Sequence, residues 1–141
     1  MRIIYPTGTL TLPADRNPLG VTLRYDALES TQTSITTRAT YTVPANRRAE
    51  VMGIDLSMEV KTVLASALEV VLQVTRNPAG SNENLAKINN YLITVGTKDK
   101  IAFQSGLLLS AAEVLTIRSA FGPATGAVHM IALVSIMEYD A

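Results

Sequence analysis

A chain of 141 residues has the size of one domain and can bury a core without disulfides or metal staples. Its 12 basic and 12 acidic residues cancel, which removes the basic excess of a nucleic-acid binder, and the absence of cysteine excludes disulfides and thiolate metal sites. Apolar residues make up 48% and charged ones only 17%, a balance that suits a chain hiding surface in partners.

Residues 1–43 read as an extended arm. They hold ten threonines and three prolines, Pro6, Pro13 and Pro18. Threonine favours extended backbone, and proline removes donors and restricts its neighbours. Ile3, Ile4, Tyr5, Leu10 and Leu12 make the segment too apolar for a solvated tail, so the expectation is an arm packed on a neighbouring subunit. The Met1–Pro6 start lacks a signal-peptide pattern, and no stretch approaches the ~20 apolar residues of a membrane helix. The expectation is a soluble chain that does not use the usual export signal and has no membrane or nucleic-acid partner.

Residues 44–141 read as the folded domain. After the turn Pro44–Arg48, Met52, Ile54, Leu56, Met58 and Val60 alternate with Gly53, Asp55, Ser57 and Glu59, which predicts a long strand over Glu50–Val60. Thr62–Leu68 is a helical turn or a loop, and Glu69–Thr75 is a strand. Asn77–Asn82 is a dense turn cluster. Leu85–Asn90 is a short helix or a loop, Tyr91–Val95 a short strand, Lys98–Lys100 a turn and Ile101–Phe103 a brief strand. Leu107–Leu109 is an apolar run before the tight connection Ser110–Glu113. Val114–Phe121 is a strand, Gly122–Gly126 a turn and Ala127–Tyr139 the last strand.

Strands separated by turn clusters, with only Lys61–Leu68 and Ser81–Asn90 as poor helix candidates, predict an all-β sandwich or jelly roll. The last strand is apolar on both faces. Val128, Met130, Ala132, Val134 and Ile136 share one face, and Ile131, Leu133 and Met137 lie on the other with His129, Ser135 and Tyr139. Either the arm covers the second face or another subunit does. Ile131, Leu133, Met137 and Tyr139 are therefore candidate interface residues, with Ile3, Ile4, Tyr5, Leu10 and Leu12 of the arm.

The chemistry is sparse. A catalytic triad would have to use His129, the single histidine, and one histidine without cysteine cannot build a zinc site. Asp55 and Glu59 read as a solvated strand face rather than a glycosidase pair. Asn82, Glu83, Asn84 and Asp99 lack calcium-loop spacing. No phosphate loop or dinucleotide fingerprint occurs. The expectation is a non-enzyme without cofactor or metal.

Three stretches carry a resemblance: Tyr41-Thr-Val-Pro-Ala-Asn-Arg-Arg-Ala-Glu-Val51, Leu109-Ser-Ala-Ala-Glu-Val-Leu-Thr-Ile117 and Ile136-Met-Glu-Tyr139. In pattern they resemble the first core strand, a later turn-then-strand unit and the aromatic end of small jelly-roll decoration, or cement, proteins of tailed-phage heads. The resemblance implies a homo-oligomer, in particular a trimer, on the outer surface of a capsid, made in the host cytoplasm and bound to the major capsid protein. It departs from head fibres, which carry a further receptor-facing or coiled-coil region. Two other readings compete. A fibre or tail module could bind a cell-surface glycan through the loops Asn77–Asn84 and Gly122–Gly126. A cupin-like enzyme on the same fold would need more histidines.

Overall fold

The computed structural model describes residues 17–77, 83–91 and 93–141. They form eight strands: β1 (Leu19–Glu29), β2 (Thr33–Thr42), β3 (Arg47–Thr62), β4 (Val70–Asn77), β5 (Glu83–Asn90), β6 (Lys98–Leu109), β7 (Val114–Phe121) and β8 (Ala127–Asp140). No described residue is helical. Two antiparallel four-stranded sheets result, ordered β1-β8-β3-β6 and β2-β7-β4-β5. The outermost strands pair first with last and the pairing then closes inward: β1 with β8, β2 with β7, β3 with β6, β4 with β5. That nesting is the jelly roll, and it confirms the all-β jelly-roll expectation.

Alternation fills the space between the sheets. Ile54, Leu56, Met58 and Val60 of β3, Leu72 and Val74 of β4, Leu115, Ile117 and Phe121 of β7, and Val128, Met130, Ala132, Val134 and Ile136 of β8 meet in one core. Truncating such a residue to alanine typically costs about 2–5 kcal/mol, through lost transfer energy plus an unfilled cavity.

Several expectations need correction. The segment expected to be an arm as far as residue 43 contributes β1 and β2, which flank the same edge of the sandwich. Its threonines are compatible with this role because an edge strand needs only one dry face: Leu23 is buried while Thr22 and Arg24 face water. The arm residues Ile3, Ile4, Tyr5, Leu10 and Leu12 lie outside the described residues.

Met52 does not join the apolar face of β3. Val51 pairs with Ile136 and Gly53 with the next β8 residue, Ser135, so Met52 is an extra residue in a bulge and stands exposed. Glu83–Asn90 is a strand, although Leu85 and Ile88 are spaced as in a helix. Tyr91 and residues 93–97 form a connection rather than a strand, and Lys98–Leu109 is one continuous strand rather than a turn and two fragments.

Chain direction puts the connections at two ends. At one end lie the β2–β3 and β6–β7 connections, the start of β1, and the end of β8. At the other lie Ser30–Gln32, Val63–Glu69, Tyr91 with residues 93–97, and Gly122–Gly126.

Candidate functional site

The first end is closed by the protein's own charges. Arg47 donates from Nε to Glu138 at 2.9 Å, from one terminal nitrogen to Asp140 at 2.6 Å, and from the other to the Asn17 carbonyl at 2.7 Å. Tyr41 donates to Glu138 at 2.6 Å, and Glu138 is only 4% exposed. Burial, reinforced by the hydrogen bond and charge of Glu138, raises the Tyr41 hydroxyl well above its ordinary range. Nearby, Arg76 donates to Glu113 at 3.0 Å, and Glu113 also accepts from the Ser110 amide. Each carboxylate that loses water here gains a charged or hydrogen-bonding partner, as burial of a charge requires.

The same logic seals the β1/β2 edge. Glu29 of β1 accepts from Tyr25, from Ser119 of β7 at 2.9 Å and from Arg38 of β2 at 3.2 Å. The Arg38 guanidinium lies 5.9 Å from the Tyr25 ring centre. Burial, then the neighbouring Glu29, pushes the Tyr25 hydroxyl up to about 12.

The opposite end has a different character. Its four connections carry one charged residue, Glu69, at the foot of β4. Three of them are tied together through backbone: Leu64 N–H to the Ile93 carbonyl at 3.2 Å, Gly96 N–H to the Val60 carbonyl at 2.8 Å, and Ala65 N–H to the Thr125 carbonyl at 3.1 Å. Gly126 permits the approach. It has φ of +113°, and a Cβ there would sit 2.5 Å from a Leu64 side-chain atom and 2.8 Å from its Cα. On this braced base Val63, Leu68, Tyr91, Ile93 and Val95 project outward, between 41% and 59% exposed. Single exposed apolar residues are ordinary, but five on two connected loops, whose one charge is Glu69, form a patch that suits burial against a partner. The sequence reading did not identify it. Its signal was the absence of charge from Thr62–Leu68 and Tyr91–Thr97.

The candidate interface on β8 is narrower. Ile131, Leu133, Met137 and Tyr139 do lie on the outer face, half-buried. Register places Ile131 between Asp26 and Ser57, Leu133 between Arg24 and Asp55, Met137 between Gly20 and Glu50, and Tyr139 beside Arg48. The apolar row is thus one strand wide with polar or charged neighbours, whose stems shade it.

His129 pairs with Asp26, Nε2 to Oδ1 at 2.6 Å, a partner in a segment read as arm. That bond, with a further one from Arg24, lowers the Asp26 carboxyl below its usual range. Lys61 does the same for Glu59. Ser57 shares the shallow depression beside His129, but among the described residues it makes no hydrogen bond to the imidazole. The arrangement can do ion pairing; a nucleophile held to its base is not part of it. The calcium candidates separate: Glu83 and Asn84 sit at the charged end, and Asp99 at the other, where it accepts from Asn90. Of the loops proposed for a glycan, most of Asn77–Asn84 lies outside the described residues, and Gly122–Gly126 connects β7 to β8. Among the described residues no group of three or more histidine or acidic side chains could hold a metal ion.

No known family matches the chain by sequence, and no curated protein does. Solved structures are similar to it at low sequence identity. Dimeric latent PorU from Porphyromonas gingivalis aligns with 87% of this chain at 11% identity and a TM-score of 0.55, although the chain spans only 13% of that protein. A subunit of disulfide-linked pili from Bacillus endospore appendages aligns with 94% of this chain and 97% of its own length, at 10% identity and a TM-score of 0.43. An infectious bursal disease virus Gx strain protein aligns with all of this chain and 42% of its own length, at 10% identity and a TM-score of 0.43. At these identities the likeness concerns the fold alone.

Proposed function

We propose that the protein is a structural virion component, a decoration protein that assembles as a homo-oligomer, specifically a trimer, on the outside of a capsid and stabilises it by binding the major capsid protein. The observation that carries the assembly reading is the sparsely charged, apolar loop end, braced by backbone hydrogen bonds and presenting Val63, Leu68, Tyr91, Ile93 and Val95. A rigid apolar surface orders little on binding, so most of its burial contributes to affinity. The capsid setting comes from the resemblance at Tyr41–Val51, Leu109–Ile117 and Ile136–Tyr139. Residues 1–16 serve in this reading as the arm that reaches a neighbouring subunit.

Two measurements test it. Light scattering on the purified chain is expected to give three times the 15.1 kDa chain mass. Co-sedimentation with capsids of the parent virus is expected to retain the full chain and to lose a chain lacking residues 1–16. Unchanged capsid binding after that deletion contradicts the arm, and a monomer that ignores capsids contradicts the whole reading.

A further inference from the structure

The outer face of the sheet β2-β7-β4-β5 carries a second surface that the assembly reading does not use. Arg118 of β7 stands opposite Gln73 of β4, and Gln73 stands opposite Lys87 of β5. Residues directly opposite share a face, so the three form one line across three strands, with the cations' backbones two strand spacings, about 10 Å, apart. They line a groove of about 440 Å³ with Thr33 and Ser34 on its rim and Val71 and Ala120 on its floor.

Both cations are unspent. Arg24, Arg38, Arg47 and Arg76 each have a carboxylate partner, whereas the side chains of Arg118 and Lys87 have none among the described residues. The Arg118 Nε, like that of Arg76, is shielded from water and has no acceptor among the described residues, but Arg76 has a carboxylate on a terminal nitrogen and Arg118 does not. The floor is already dry: Val71 is 4% and Gln73 7% exposed, although both face outward from the core. An ion pair formed there is screened less than one at an open surface.

We propose that this groove binds an acidic peptide segment of a protein partner, with Arg118 and Lys87 receiving two of its carboxylates and Gln73 hydrogen-bonding between them. Charge complementarity selects the occupant. The chain has no net positive charge with which to hold a polyanion. Glu69, on the same groove, limits the negative charge it accepts and so favours single carboxylates over phosphates. No aromatic side chain lines it, which leaves a sugar ring without a face to stack on. Ile35 at the rim, 38% exposed, offers contact for an apolar side chain of such a segment. The site does not depend on the chain being a virion component.

The test is an NMR titration of the full chain with an acetylated, amidated hexaglutamate, and with hexaglutamine as the uncharged control. Hexaglutamate is expected to shift the Arg118 Nε–H, the Gln73 side-chain amide and the Lys87 signals along one saturable curve, while hexaglutamine leaves them unmoved. Arg118→Gln is expected to weaken binding about tenfold or more and Lys87→Gln severalfold. Arg118→Lys, which keeps charge but loses the fork, falls between wild type and Arg118→Gln. Lys98→Gln, on the other sheet, leaves the affinity unchanged. Equal response to hexaglutamine, no saturation, or equal loss with Lys98→Gln overturns the proposal. So does saturable binding of inorganic phosphate or sialyllactose at these residues without an effect of hexaglutamate.

Discussion

The two ends of this sandwich dispose of their polar groups in opposite ways. At the end where β8 finishes, Arg47, Glu138, Asp140 and Tyr41 satisfy one another. At the other, backbone hydrogen bonds hold the loops while their apolar side chains face outward, exposed among the described residues. A charged cluster of the first kind is complete in itself, and removing a member exposes a cost within the domain. An apolar tip of the second kind contributes little to the domain's own stability. The contrast separates residues that maintain the fold from residues free to serve a contact.

The largest effect should come from the closed end. Glu138→Ala strands Arg47 and Tyr41, whose partner is nearly fully buried, and is expected to cost about 3 kcal/mol in a denaturation experiment while leaving the oligomeric mass unchanged. A loss under ~0.5 kcal/mol would mean the end is more solvated than its geometry indicates.

Gly126→Ala probes the brace under the apolar tip. Its positive φ and the contact with Leu64 should make it cost of order 1–3 kcal/mol and loosen the three tied loops, seen as faster amide exchange at Leu64 and Ala65. Protection equal to wild type would separate the brace from the tip.

The β1/β2 edge should reveal itself in alkali. Tyr25 has a folded-state pKa raised from about 10 to about 12, so its contribution is fully present below pH 10 and is lost as pH rises towards 12, because the unfolded chain ionises first. Tyr25→Phe removes the hydrogen bond to Glu29, costing about 1.5 kcal/mol at neutral pH, and should flatten the fall in stability between pH 10 and 12. Parallel alkaline curves for variant and wild type would rule out this residue as the cause.

The smallest effect on folding, and the largest on assembly, belongs to the apolar tip. Ile93→Lys and Tyr91→Lys should change stability by no more than ~0.5 kcal/mol, since both side chains are exposed.

Much of the fold was legible because one-sided strands announce themselves. The alternation of Ile54, Leu56, Met58 and Val60 is the inner face of β3, and that of Val128 to Ile136 the inner face of β8. Elsewhere the pattern misled for physical reasons. Leu85 and Ile88 have helical spacing, yet β5 is an edge strand with few buried positions, Ala86 and Ile88 among them, so its alternation is faint. Threonines made residues 19–42 look coreless, while partners far along the chain, Ser119 and Glu138, supply what Arg38 and Tyr41 need. Tyr91–Val95 is the most instructive error. Its apolar residues imitate a buried strand, but Tyr91, Ile93 and Val95 face solvent in a loop. The apolar character that suggested a strand is what marks the candidate contact surface. The pairing of Asp26 with His129 and the line Arg118–Gln73–Lys87 depend on strand register, which residue spacing alone does not specify.

The most direct test of the division between the two ends is solution mass by light scattering, run in parallel on wild type, Glu138→Ala and Ile93→Lys at one concentration. The account predicts an oligomer for wild type and for folded Glu138→Ala, and a folded monomer for Ile93→Lys. An oligomer that survives Ile93→Lys unchanged, or a wild-type monomer, would contradict it.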